Sequence, residues 1–493
     1  MANRILIKNG NVIDGSGSAG AAKDVLIEDD RIAAVGETAA AAAGPDATVI
    51  DAAGKVVCPG FVDMHAHSDF ATSVDGTMAA KLRQGVTTVV MGSCGFSAAP
   101  SNERFKKVFL RFAGGMFGKN CPFEWNGMGE YLERLRKQGI AANVFAQVGY
   151  GNLRTMTMGM MPRRANEKEI EAMKSLLAQA LDEGARGFST GFAYPPQNFS
   201  SSEEIVELCH VVAAKDGLYS THIRNEMDKI ETAMKEAVDT ARATGVSLEV
   251  SHHKAILKRN WGKVKRTLDI LDEARREGVD VETDVYPYDA FSNMFLPCMF
   301  LRKEPEIEKA IIFLVLKKFP EFEGRTLAEF MAEKKLSFNA AAFELIKNEG
   351  LTKIPIAGRM ISEDDMRYVM AHPLTSIGSD GVENPGGKAH PRLVATTVRV
   401  IETYALKEKV LSLEEAIKKM TSMPAAKAKL KMRGLIKEQY YADIVVFDPK
   451  QIHDRSDYKN TNEHPVGFDA VIVNGEIAVR HDEQSAARAG QVL

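Results

Sequence analysis

Apolar and polar residues alternate in short runs over the first 57 positions: Ile5 to Lys8, Val12-Ile13, Val25 to Glu28, Arg31 to Val35 and Thr48 to Ile50. Asn, Gly and Asp residues, including Asn9-Gly10, separate the runs, so an all-β segment is expected. After Pro59-Gly60 the period changes. Apolar runs at Gly60 to His67, Val86 to Met91, Ala142 to Gln147, Gly187 to Ser189, Tyr219 to His222, Ser247 to Ser251, Val279 to Asp284 and Thr375 to Ser379 alternate with helical-period stretches. Thr77 to Gln84, Glu167 to Leu181, Ser202 to Lys215, Lys229 to Thr244 and Lys263 to Arg276 are among those stretches. Strand alternating with helix marks a parallel sheet, and about eight strand candidates fit an α/β (β/α)8 barrel better than a doubly wound sheet.

Between Phe291 and about Gly350 the pattern is mainly helical and strongly charged, with helices expected over Glu304 to Lys318, Thr326 to Lys335 and Asn339 to Lys347. A segment of this kind inside a barrel suggests a lid-like insertion. Strands return after Met423-Pro424, at Ala442 to Phe447, Phe468 to Gly475 and Ile477 to Arg480. The expected organisation is a β-sandwich domain built from residues 1–59 and 424–493, flanking a catalytic barrel over 60–423 with the insertion at 291–350.

Composition narrows the function classes. The 493 residues carry 63 Lys and Arg against 66 Asp and Glu, a formal charge of −3. That balance, with no dense basic stripe, argues against a nucleic-acid partner. No stretch approaches the roughly 20 apolar residues of a membrane span, and the amino terminus lacks the apolar core of a signal peptide. A cytoplasmic protein, monomeric or a small homo-oligomer, is expected. Five cysteines, Cys58, Cys94, Cys121, Cys209 and Cys298, are odd in number and have no C-x-x-C spacing, which disfavours a disulfide framework.

The candidate chemistry collects at strand ends. His65 and His67 lie two apart, so their imidazoles share one strand face at the carboxyl-terminal mouth of the first barrel strand. An isolated H-x-H is a weak signal. Cys94 follows the Val86 to Met91 run, His222 ends another, His252 follows Ser247 to Ser251, and Asp380 follows Thr375 to Ser379. So many potential ligands at one rim indicate a metal site. Thiolate and imidazole suit Zn2+, with one tight site and a second, weaker one possible. Cys94 is a possible bridge, and Asp380 is the expected proton carrier. The other four cysteines are expected to be buried thiols, His253 packing or secondary to the ligands, and His372 structural.

With these residues in place, the chain resembles the amidohydrolase superfamily and, within it, the D-aminoacylase (N-acyl-D-amino-acid deacylase) family. The resemblance rests on Gly60-Phe-Val-Asp-Met-His-Ala-His-Ser-Asp69, Gly92-Ser-Cys-Gly95, Phe192-Ala-Tyr-Pro-Pro196, Thr221-His-Ile-Arg-Asn-Glu226, Ser251-His-His-Lys254, Asp284-Val-Tyr-Pro-Tyr288, Ser379-Asp-Gly381 and His390-Pro-Arg392. It implies that Cys94, His222 and His252 hold a tight Zn2+ while His65 and His67 form the weaker site. It also implies that Tyr194 polarises a substrate amide and that Lys254, Tyr286, Ser292 and Arg392 receive its α-carboxylate. The small-molecule substrate would be an N-acyl-D-amino acid, with Asp380 as general base and acid. Cyclic-amide hydrolysis of the dihydroorotase or hydantoinase kind, and D-peptide hydrolysis, stand as alternatives. The strand segment Gly184 to Gly191 lacks the lysine that bridges two metals in many cyclic-amide relatives. Apolar residues at Met294 to Leu296 and Met299 to Leu301 favour an apolar substrate side chain, although Arg302 and Lys303 could serve an acidic one.

Overall fold

The computed structural model describes residues 3–112, 122–351, 353–383 and 388–493, so the expected thiol at Cys121 lies outside the described residues. The chain opens with β1 (Arg4–Val12), β2 (Ala21–Glu28), β3 (Arg31–Val35), β4 (Thr48–Asp51) and β5 (Val56–Pro59). β1 pairs antiparallel with β2 and parallel with β4 and β5 along successive parts of its length, so the sheet forks there.

Seven parallel strands follow: β6 (Phe61–His67), β7 (Val86–Met91), β8 (Asn143–Gly149), β9 (Gly187–Gly191), β10 (Leu218–His222), β11 (Ser247–Val250) and β12 (Val281–Val285). Intervening helices cover them. Helix Glu167–Asp182 shows how sequence sets such an element: Asn166 caps Glu169 N at 3.0 Å, and Met173, Leu177, Ala180 and Leu181 form its buried face.

The insertion departs from the mainly helical expectation. It contains β13 (Phe291–Met294) and β14 (Ile311–Phe313), which pair with β15 (Pro355–Gly358), just beyond its expected end, in an antiparallel three-stranded sheet. The stretch Glu304 to Lys318, expected as one helix, divides into helix Ile307–Ala310 and strand β14. The consecutive apolar run from Ile311 suits a strand buried on both faces better than a one-sided helix, and Ile311 and Phe313 pack with Phe295, Phe322, Phe330 and Ile356 in the insertion's own core.

The barrel closes through β16 (Thr375–Ile377), paired with β12, and β17 (Gly381–Val382), paired with β6. Between these two halves of the eighth position lie Gly378, Ser379 and Asp380. A Cβ at Gly378 would stand 2.7 Å from His65 Cβ and 2.9 Å from an Asp284 carboxylate oxygen, so glycine permits this approach. Asp63 fastens the seam: its carboxylate accepts from Ser379 N at 2.8 Å, Ser379 Oγ at 2.6 Å and Lys81 Nζ at 2.8 Å. Asp380 N donates to His65 O at 2.8 Å.

The chain returns to the first sheet with β18 (Ile444–Phe447), β19 (Phe468–Val473), β20 (Glu476–Arg480) and β21 (Glu483–Gln484), β18 pairing with β5. Ile7, Ile27, Ile50, Ile444 and Ile472 share its core, so both chain ends build one unit. Among the described residues, no helix is long and apolar enough to cross a membrane.

Lys81 and Asp63 are both almost fully buried. Lys81→Met strands the carboxylate and is expected to lower stability by about 3 kcal/mol, the scale for breaking a buried ion pair. Denaturant midpoints measure this; a loss under about 0.5 kcal/mol, the scatter of neutral substitutions, would remove the pair from the closure of the barrel.

Candidate metal centre

The carboxyl ends of the barrel strands deliver the five expected metal ligands and the expected proton carrier, Asp380, to one place. His65 and His67 come from β6, Cys94 from the turn after β7, His222 from the end of β10, His252 from the turn after β11, and Asp380 from the break between β16 and β17. All six are buried. Cys94 Sγ lies 3.4 Å from His65 Nε2, 3.8 Å from His222 Nδ1 and 3.4 Å from His252 Nε2. His65, His67, Cys94 and Asp380 form one group able to hold a metal ion, and Cys94, His222 and His252 form another. Cys94 belongs to both.

The spacings fit the group. A tetrahedral ion with bonds of about 2.3 Å to sulfur and 2.0 Å to nitrogen separates the two donors by about 3.5 Å, close to the three distances around Sγ. Carboxylates behind the ligands fix their orientation, as such partners do for metal-binding imidazoles. Asp284 Oδ2 lies 3.3 Å from His65 Nδ1, leaving Nε2 toward Cys94. Glu226 Oε1 lies 3.2 Å from His252 Nδ1, and Glu226 Oε2 lies 3.6 Å from His222 Nε2.

The electrostatics are mutually dependent. Burial raises the Cys94 thiol, but the charges of His65 and His252 and hydrogen bonds from His222 and His252 outweigh it and hold Cys94 well below the ordinary thiol range. Burial works against the His67 imidazolium, yet hydrogen bonds to Asp380 and Cys94 hold it up at about 9. Asp380 resists the effect of its own burial because the Arg392 guanidinium and the nearby imidazoles keep it ionised. Glu226, also buried, stays ionised beside Lys254 and His222.

The other expected site residues divide by depth. Arg392 donates through Nη2 to Asp380 Oδ2 at 2.8 Å, while its buried Nε and Nη1 meet no hydrogen-bond acceptor. Its guanidinium carbon lies 4.5 Å from the centre of the Tyr286 ring, whose buried hydroxyl also lacks a partner. Lys254 is committed to Glu226 at 2.6 Å and lies 3.0 Å from His252 Nδ1. Tyr194 packs edge-on against His222 with ring centres 5.2 Å apart. Burial and the charges of Cys94 and Asp380 hold its phenol well above the ordinary range, so it remains a hydrogen-bond donor. Ser292, on β13, lines a cavity of about 340 Å3 together with His67, Cys94, Tyr194, Asp380 and Arg392.

Cys58, Cys209 and Cys298 are free, buried thiols, Cys298 pushed up to about 12 by burial. His253 is buried against Thr267 Oγ1 at 2.6 Å, and His372 faces Asp272 at 3.2 Å. Sequence reasoning gave no role to Glu226, Asp284, Asp63 or Lys81. Asp63, Glu226 and Asp284 fall inside the quoted motifs, and their only signal is a carboxylate close in sequence to a ligand or a strand end.

A closed parallel barrel with a thiolate, imidazoles and a carboxylate at its carboxyl-terminal mouth defines a hydrolase of the metal-binding barrel class. The amidohydrolase family profile Amidohydro_3 matches residues 48–335 and 338–479. D-aminoacylase of Alcaligenes xylosoxydans xylosoxydans is 35% identical over 99% of this chain and 97% of its own, and N-acyl-D-glutamate deacylase of the same organism is 36% identical over 99% and 96%. A D-aminoacylase structure with a binuclear metal centre, described by one-metal activation and second-metal attenuation, superposes with a TM-score of 0.89 at 36% identity, covering 99% of both chains. N-acyl-D-glutamate deacylase from Bordetella bronchiseptica, complexed with zinc and a phosphonate mimic of the tetrahedral intermediate, gives 0.89 at 34% identity, again over 99% of both. The chain belongs to the amidohydrolase family, within its D-aminoacylase branch.

Metal loading should release protons, because ligands must be deprotonated to bind. His67 is raised to about 9 and protonated at pH 7.5, so a metal engaging it displaces that proton and binds more weakly as pH falls. Calorimetry of the second metal equivalent in buffers of different ionisation enthalpy measures this; occupation of the site that includes His67 with no proton release would contradict the charge arrangement.

Proposed function

We propose that the protein hydrolyses the amide bond of N-acyl-D-amino acids, giving a D-amino acid and a carboxylate. The observation that carries this reading is the adjacency of two potential metal groups sharing Cys94 to a buried Asp380–Arg392 pair with guanidinium donors unspent. Cys94, His222 and His252 would hold one tight Zn2+, and His65 with His67 a second, weaker site. When bound, Zn2+ polarises the amide carbonyl and lowers the pKa of a water molecule toward neutrality.

The chain's own groups supply the rest. Asp380, ionised, accepts the proton of the attacking water and passes it to the departing amine nitrogen. The Tyr194 hydroxyl donates to the carbonyl oxygen as negative charge develops there. The free donors of Arg392 and the Tyr286 hydroxyl receive the α-carboxylate, assisted by Ser292 and by the positive charge of Lys254. A cavity of about 340 Å3 suits a small-molecule substrate. The segment 291–350 would cover it, consistent with Ser292, Met294, Leu296 and Pro297 in its wall. The remaining division, a barrel over 60–423 between two halves of a β domain, is part of the same proposal. Handedness rests on the two D-specific relatives. Strand β9 holds no lysine, which disfavours the cyclic-amide alternative.

Amine release from paired N-acetyl-D and N-acetyl-L amino acids, with metal analysis of the same sample, tests the reading. Turnover of the D series is expected; equal D and L rates would contradict it. Asp380→Asn should retain the tight metal and lose about 10²- to 10⁴-fold in kcat, the usual contribution of a positioned acid–base group. Full turnover in that variant would remove Asp380 from proton transfer.

A further inference from the structure

The turn Gly92-Ser93-Cys94-Gly95 carries the sulfur shared by both potential metal groups, and side chains from other parts of the barrel hold it. Asp69 Oδ2 accepts from Gly92 N at 3.0 Å. Ser189, on β9, meets both ends of the turn: its hydroxyl donates to Gly92 O and accepts from Gly95 N at 2.9 Å. One oxygen therefore fixes the width of the turn. Gln197, in the loop after β9, donates through Nε2 to Cys94 O at 3.2 Å and accepts at Oε1 from Gly191 N at 2.7 Å. Ser189 and Gln197 are both fully buried.

Cys94 needs such a brace. Its φ of 53° lies in the left-handed region, and such a conformation persists only where the surroundings enforce it. A turn free to relax would carry Sγ away from the imidazole nitrogens that now stand 3.4 to 3.8 Å from it. Glycine at 191 permits the close fit, since a Cβ there would stand 2.1 Å from Cys94 O. The loop that starts at Gly191 also carries Tyr194. Tyr194 N donates to Gly191 O at 3.0 Å, and Phe192 N donates to His222 O at 3.1 Å. The Gln197 carboxamide thus joins the backbone of one expected ligand to the root of the loop that bears the tyrosine.

We propose that Ser189 and Gln197 are positioning residues. Together they set where the Cys94 sulfur stands among the imidazoles, and Gln197 also sets the Tyr194 hydroxyl relative to that sulfur. The link to Tyr194 rests on the deacylase reading, in which this hydroxyl donates to the carbonyl oxygen. Strand β9 supplies none of the expected ligands, and the hold on the cysteine turn is what it contributes instead.

The test uses the full chain with Ser189→Ala and, separately, Gln197→Met, and reads affinity for the first zinc equivalent by competition with a chromophoric chelator. Each substitution should weaken that affinity by about 10- to 100-fold, the range for removing a group that orients a metal ligand. With zinc saturating and N-acetyl-D-leucine and N-acetyl-D-glutamate as substrates, Gln197→Met should still lose about tenfold or more in kcat at unchanged KM, the scale of a small misplacement at the reacting group. In a Tyr194→Phe background the same substitution should cost little further kcat, because both changes act through one hydroxyl. Wild-type zinc affinity in both variants overturns the brace, and Ser189→Ala, which removes a single oxygen atom, decides this alone if Gln197→Met fails to fold. Additive losses of kcat in the double variant overturn the link to Tyr194. Turnover of no D substrate by the zinc-loaded wild-type protein overturns the deacylase reading and that link, while the zinc affinities still decide the brace.

Discussion

A thiolate buried among three imidazoles persists only while positive charge stays beside it. The mouth of this barrel is organised around that requirement. Cys94 lies within 3.8 Å of ring nitrogens from His65, His222 and His252, contributed by three different strands. Each of these histidines is faced from behind by a carboxylate, Asp284 for His65 and Glu226 for the other two. Lys254 and Arg392 then balance Glu226 and Asp380. Negative and positive groups thus alternate outward from the sulfur. Removing any member leaves a buried charge unmatched, which is more costly than the pair is stabilising.

Such an assembly needs backbone in unusual places. Cys94, His252 and Asp380 have φ of 53°, 39° and 48°, the left-handed region that side chains seldom occupy. Each lies just past a strand end, where the chain turns and can aim a side chain over the mouth instead of along the sheet. Strain of this kind collects at functional sites and is held by surrounding structure. For Asp380 the restraint is visible in its backbone bond to His65 and in the Asp63–Ser379–Lys81 knot beside it. The bonds that close the barrel therefore also aim the proton carrier.

Much of this is legible in the sequence. Short apolar runs alternating with helical-period stretches mark the barrel strands, and Val86 to Met91 matches β7 residue for residue. His65, His67, Cys94, His222, His252 and Asp380 could be gathered at one rim because each sits at or just beyond a strand end. The supporting carboxylates could not, since acidic residues near strand ends are common and only packing shows which one reaches an imidazole. Glu226 lies in the loop beyond β10, where no periodicity predicts a direction. Lys254 reads as a free cation in sequence, but its bond to Glu226 exists only in three dimensions. The insertion's sheet was missed for a different reason. Its strands have three or four residues, shorter than an alternation pattern needs, and β14 follows directly on a one-turn helix.

The most direct measurement is zinc X-ray absorption on the wild-type protein loaded with one equivalent of metal. A site built on the Cys94 thiolate requires one sulfur scatterer at about 2.3 Å together with nitrogen or oxygen near 2.0 Å, the sulfur disappearing in Cys94→Ser. A first shell of nitrogen and oxygen alone in the wild-type protein would contradict it.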